Sequence, residues 1–252
     1  MKRLRTAIFM TARQVMRNRA AGVLALVLPI LFYTLTVLTT STHIVVFELA
    51  SVSAEPDIEL SARSGALTFM ALVSIGFLSA FLGVNLMQKY AAGNRRLAFC
   101  GYRPAELALA AITVLAAAMV VLSAYCVCAM LPFFVPRHIA TVFLGLILIG
   151  FVYGSYGLLI GALWKRELES IISVILLTNV DVSWLQNPIF YADTEHKEII
   201  LWLPAYFPGQ VAMSGAFTDH APWRSVIGSV VYGCGILGLA ILVFWRKLRM
   251  AK

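Results

Sequence analysis

Few side chains here could carry chemistry. Asp181 stands two residues after Asn179, near the outer end of an apolar run. An ionisable group at that depth either turns to the aqueous layer or serves a path through the membrane. The stretch Gly154-Ser155-Tyr156-Gly157 invites comparison with a serine hydrolase, but it lacks the GxSxG arrangement. Its nearest histidine, His138, lies about 25 Å away along a helix rising 1.5 Å per residue. Cys126 and Cys128 fall about 200° apart on a helix and, with Cys100 and Cys234, read as small apolar fillers. No GxxxxGK[ST] phosphate loop, HExxH or Cys/His cluster occurs, so the chain is expected to bind no metal, nucleotide or other cofactor itself.

The most reactive-looking surface is basic rather than catalytic. Residues 88–106, QKYAAGNRRLAFCGYRPAE, hold Lys89, Arg95, Arg96 and Arg103 against one acid, Glu106. Nothing in that stretch can span a bilayer, and it lies between two long apolar runs. It reads as a cytoplasmic handle on a membrane-embedded body.

Composition supports that body. Hydrophobic residues make up 61% of the 252 and charged residues 13%, where a soluble domain carries about 25% charged residues. The formal net charge of +8 would suggest nucleic acid in a soluble protein. Here the charges sit beside apolar spans and report topology, so no nucleic-acid partner is expected.

The elements that must position these residues follow from apolar run lengths. Residues 1–19 predict a basic amphipathic helix, with Leu4, Ile8, Phe9, Ala12, Val15 and Met16 on one side and Arg3, Arg13 and Arg17 opposite. Such a helix lies in the headgroup layer with its arginines on anionic lipid; the alternative is a plain orienting charge cluster. Six spans are predicted at 20–46, 65–88, 105–131, 139–164, 168–185 and 225–245 in one transmembrane domain, 1–252. The first apolar run is too long for a cleaved secretory signal, and Pro29 should kink it. With the N-terminus inside, sixteen Lys and Arg fall on the inner side and four, Arg63, Arg137, Lys197 and Arg224, outside. That bias predicts both termini in the cytoplasm.

Residues 186–222 form an unusual outer segment. Its core, Glu198 to Phe217, is apolar, but Pro204, Pro208 and Gly209 are expected to break it into two pieces of at most ten residues. A re-entrant or surface-lying helical hairpin fits, if its backbone is buried in protein or lines a cavity. On span four Gly150, Gly154, Gly157 and Gly161 share one face and predict close helix packing, within the subunit or between subunits. On span two Met70, Val73, Phe77 and Phe81 make one apolar stripe.

In the order of these features the whole chain resembles the permease subunits of ATP-binding-cassette exporters of the type-two family, which move drugs, antibiotics, polysaccharides or lipids. Gly93, Asn94, Arg95, Arg96 and Leu97 match the first part of that family's coupling segment, and Gly101-Tyr102-Arg103-Pro104-Ala105-Glu106-Leu107 the second. The family's acidic residue before the glycine is missing, since Lys89 and Tyr90 stand there. Leu203-Pro204-Ala205-Tyr206-Phe207-Pro208 looks like the element that opens the family's outer hairpin.

The resemblance implies an all-α, six-span permease in the cytoplasmic (inner) membrane, paired with a second permease, most simply a homodimer, and docked on two copies of a separate ATPase subunit. ATP and Mg2+ would bind the ATPase. The coupling residues would be Gly93, Asn94, Arg95, Arg96, Leu97, Tyr102 and Arg103. The cargo path would run past Met70, Phe77 and Phe81, with Asn179 and Asp181 near its outer end. The cargo would be hydrophobic or amphipathic. A six-span enzyme acting on lipid and a non-transporting scaffold are the alternatives.

Overall fold

A computed structural model describes residues 2–48, 57–88, 101–164, 166–186 and 197–250. Six helices are long and apolar enough to cross a membrane. An opening helix α1 (Lys2–Met16) precedes α2 (Arg19–Thr39), α3 (Ala62–Gln88), α4 (Pro104–Met130) and α5 (Ile139–Leu163). The fifth crossing is α6 (Glu167–Thr178) continued by a π-helical segment, Asn179–Leu185. Two shorter helices, α7 (Lys197–Leu201) and α8 (Tyr206–Phe217), lead to the last span, α9 (Trp223–Met250).

The core is built on α3 and α5. In the most apolar stretch of α3, 83% of residues are buried, against 22% in α2 and in α9, so α3 is the central helix and those two are peripheral. Helix α5 packs on α3 along one side and on α8 and α9 along others. Small residues let α3 and α5 approach: a β-carbon on Gly83 would lie 2.6 Å from the Gly154 carbonyl oxygen, and one on Gly157 would lie 2.0 Å from that of Ala80. In a bilayer, where lipid is as apolar as leucine, such backbone contact is a main source of helix association.

The first span departs from expectation. It ends at Thr39, not Val46, and the remaining apolar residues form a strand, β1 (Ile44–Glu48), paired antiparallel with β2 (Asp57–Ser61) in the register Ile44 with Ser61 and Glu48 with Asp57. The cause is local: Thr39 to Thr42 are hydroxyl residues that end the apolar period. Ile44-Val45-Val46 are β-branched and favour a pleated chain. Ile58 and Leu60 turn towards the helical core while Glu59 is exposed, an alternation with period two. The fold is thus all-α in its membrane body with one two-stranded appendage.

Pro29 lies inside α2 and is buried. It removes the amide that would bond the Ala25 carbonyl and crowds the turn before it. Tyr125 on α4 donates to the Leu26 carbonyl in that turn at 2.8 Å, and Tyr33 on α2 returns a bond to the Cys126 carbonyl at 3.2 Å. Helices α2 and α4 are therefore stitched by two tyrosines.

All five tryptophans are exposed; four stand at or beside helix ends, and Trp245 lies in the last two turns of α9. Trp164 and Trp245 lie at the face carrying the termini, and Trp184, Trp202 and Trp223 at the opposite face. That is the distribution of an aromatic belt at each membrane boundary. Helix α1 sits at the terminal face, where Ala7 packs with Leu107 and Ala110 of α4, flanked by Leu4, Ile8 and Tyr102. Phe9 and Met16, expected on the apolar side of α1, are exposed because they point away from α4.

Candidate functional site

The most concentrated polar constellation gathers around Asp181, at the end opposite the termini. The π segment places its carbonyl to accept from the Gln186 amide five residues on, at 3.0 Å. The side chain is 1% exposed, so it does not face the aqueous layer. Its Oδ2 accepts a short hydrogen bond from the Tyr153 hydroxyl on α5 and another from the Ala205 amide at 2.9 Å, and its Oδ1 accepts from Gln186 Nε2 at 3.3 Å. A buried carboxylate left unpaired would cost about several kcal/mol; this one has three donors.

Those bonds belong to a larger capture of the turn between α7 and α8. Gln186 Nε2 also donates to the Ile200 carbonyl at 3.3 Å, and the Tyr232 hydroxyl of α9 donates to the Trp202 carbonyl at 3.2 Å. The turn's backbone groups at Ile200, Trp202 and Ala205 are thus met by side chains from the π segment and α9. Pro204 stands in the turn, but Pro208 and Gly209, expected to break the hairpin further, lie in the first turn of α8. A proline there gives up an amide that has no partner within the helix. Consequently α8 runs for 12 residues, longer than the ten expected.

Asn179 is not part of this group. Its Nδ2 bonds the Ile175 carbonyl of its own helix at 2.9 Å and the residue is exposed, so the two residues read together from sequence point to different faces. The α3 stripe is different again. Phe77 and Phe81 stack at 6.2 Å, and Met70 and Phe77 are partly exposed on a helix otherwise almost wholly buried. Along its membrane-crossing length α3 opens outward on the line of Met70 and Phe77.

The glycines of α5 face inside the subunit. A β-carbon on Gly150 would meet Ser79 and Met119, one on Gly154 the flexible end of Met119, one on Gly157 the backbone of Ala80, and one on Gly161 Met87 and Val84. At the terminal face Tyr102 packs beside Ala7 and Leu107. Arg103 caps α4 with its amide on Glu106 Oε2 at 2.9 Å, and Arg3 donates to the Gly101 carbonyl at 3.2 Å. Gly101 has φ +85°, a conformation that suits glycine. Gly93, Asn94, Arg95, Arg96 and Leu97 lie outside the described residues.

Ser155 donates to the Phe151 carbonyl of its own helix at 2.7 Å, and His138 pairs with Asp219 at 3.1 Å, so the two do not converge. Among the described residues no group of three or more His, Cys, Asp or Glu could hold a metal. Sequence reasoning missed Tyr153, Gln186, Tyr232 and Gln88. Gln88 Nε2 donates to the Trp164 carbonyl at 3.0 Å and to Ser170 Oγ at 2.7 Å, tying the end of α3 to the end of α5 and the start of α6. The one available signal was a glutamine closing an apolar span.

Fold and site together define an integral membrane protein with six apolar spanning helices and a transporter-like architecture. No protein-family model matches the chain, and no curated protein matches it.

Proposed function

We propose that this chain is the membrane-spanning permease subunit of an ATP-driven exporter of the type-two kind, moving a hydrophobic or amphipathic cargo out of the cytoplasm. The observation that carries the reading is the second span. A central helix buried on every side but the line of Met70 and Phe77, with Phe81 stacked beside it, is suited to face a second permease across a cargo path. Both termini are cytoplasmic in this reading, in keeping with the excess of Lys and Arg on that side.

Energy comes from a separate ATPase carrying ATP and Mg2+, docked in two copies on Gly93, Asn94, Arg95, Arg96, Leu97, Tyr102 and Arg103. Gln88 stands five residues before Gly93, and its bonds to Trp164 and Ser170 offer displacement of the stretch a route to α5 and α6. Closure of the ATPase pair on ATP then biases an inward-facing against an outward-facing arrangement.

The test is purification of the tagged chain from its native membrane with an ATP hydrolysis assay, on wild type and on the Arg95→Glu, Arg96→Glu variant. An ATPase should co-purify, and the variant should lose it or hydrolyse ATP without transport. A chain that purifies alone and without ATPase activity would remove the proposal and favour a lipid-directed enzyme or a scaffold.

A further inference from the structure

The turn between α7 and α8 presents a mechanical problem. Residues 202–205 are non-helical, Trp202 is 80% exposed, and Ala205 only 1%. The segment therefore passes within four residues from the surface into the packed interior. An isolated helix as short as α7 has little stability of its own, so something outside the hairpin must set where the turn lies.

We infer that Asp181 is the positioning residue of this hairpin, its carboxylate joining the Ala205 amide to Tyr153 so that the hairpin, the π segment and α5 form one body. Three observations lead there independently. Both donors on Oδ2 come from other elements, Tyr153 from α5 and the Ala205 amide from the start of α8. Gln186, which donates to Oδ1, reaches on to the Ile200 carbonyl at the other side of the turn. The carboxylate sits in the π segment, where the i to i+5 bond from Gln186 brings residues 181 and 186 onto one side. It is buried and held by three donors within the fold, so it acts on anything passing the hairpin through the hairpin's position rather than by contact.

This does not rest on the exporter reading, and its test needs neither ATPase nor cargo. Trp202 reports the turn's depth once Trp164, Trp184, Trp223 and Trp245 are changed to Phe. The full chain, reconstituted in bilayers, is probed by fluorescence quenching with phosphatidylcholine brominated at a shallow or a deep acyl position. The parent should show one depth, with one of the two lipids quenching more strongly. Asp181→Asn keeps one acceptor oxygen for Tyr153 and Ala205 while giving up the bond from Gln186, and should shift that profile less than Asp181→Leu. Asp181→Leu leaves the Tyr153 hydroxyl and the Ala205 amide buried without an acceptor, and should shift or broaden it.

The double variant Asp181→Leu, Tyr153→Phe separates positioning from stability. Removing both partners of one bond recovers part of the lost thermal stability, yet Ala205 stays unpaired and the depth profile should remain shifted. The same variant carries the readout where Asp181→Leu alone fails to insert. A parental depth profile in the double variant would overturn the inference, as would Asp181→Asn shifting the profile as far as Asp181→Leu.

Discussion

Gly154 and Gly157 share one face of α5, yet their surroundings predict different tolerances. A side chain at Gly157 meets the Ala80 backbone, which cannot swing aside, whereas at Gly154 the nearest atom is the end of Met119. Gly157→Ala should therefore lower stability by about 1–3 kcal/mol, the usual range for overpacking, and Gly154→Ala by distinctly less, measured by reversible unfolding in mixed micelles. Equal losses would mean that α3 and α5 adjust as a pair. The glycine face was legible from its spacing, because period alone fixes which residues share a side. Its partner was not, since that depends on Ala80 and Gly83 lying opposite on another helix. Asp181 shows the same limit: its type marked it out, but its donors Tyr153 and Ala205 are 28 and 24 residues away, and spacing says nothing about them.

At the scale of elements, apolar length located all six spans and overextended the first. Hydropathy does not distinguish the β-branched residues of β1 from the end of a helix, so the strand was absorbed into the span. The π segment was equally hidden, because its wider turn leaves no mark in composition. Pro29 was visible, and the Tyr125 bond beside it was not. Tyr125 meets the Leu26 carbonyl, one residue past the Ala25 carbonyl that the proline orphans, so any coupling runs through the ring's crowding of that turn. Tyr125→Phe should cost about 0.6 kcal/mol, typical of a side-chain hydrogen bond in a membrane bundle, and less in a Pro29→Ala background, where the turn relaxes. A double-mutant cycle on unfolding free energies measures that difference, and strict additivity would disconnect the proline from the tyrosine.

For the whole molecule, the charge bias and the two tryptophan girdles are separate indicators of how the chain lies in the bilayer. The bias comes from loops and chain ends and predicts which side is cytoplasmic, whereas the tryptophans are exposed on the folded surface and bear on where the boundaries lie. Single cysteines in a chain with its native cysteines replaced test the orientation. Thr42→Cys should react with a membrane-impermeant maleimide on intact cells. Ala251→Cys should react only after permeabilisation, and the reverse pattern would invert the topology.

The π segment also bears on how the fifth span tolerates changes of length. Removing Val180 would let a regular α-helical ladder close across the gap and would improve local bonding. A π turn takes up about one residue more than an α turn, so the residues on either side of the deletion would keep nearly the same angular relation, Asp181 beside Tyr153 and α6 against α3. What is lost is inside the segment, where the Asp181 carbonyl would no longer meet the Gln186 amide five residues on. The irregularity thus acts as one residue of slack in the span, taken up locally without turning either end from its neighbours.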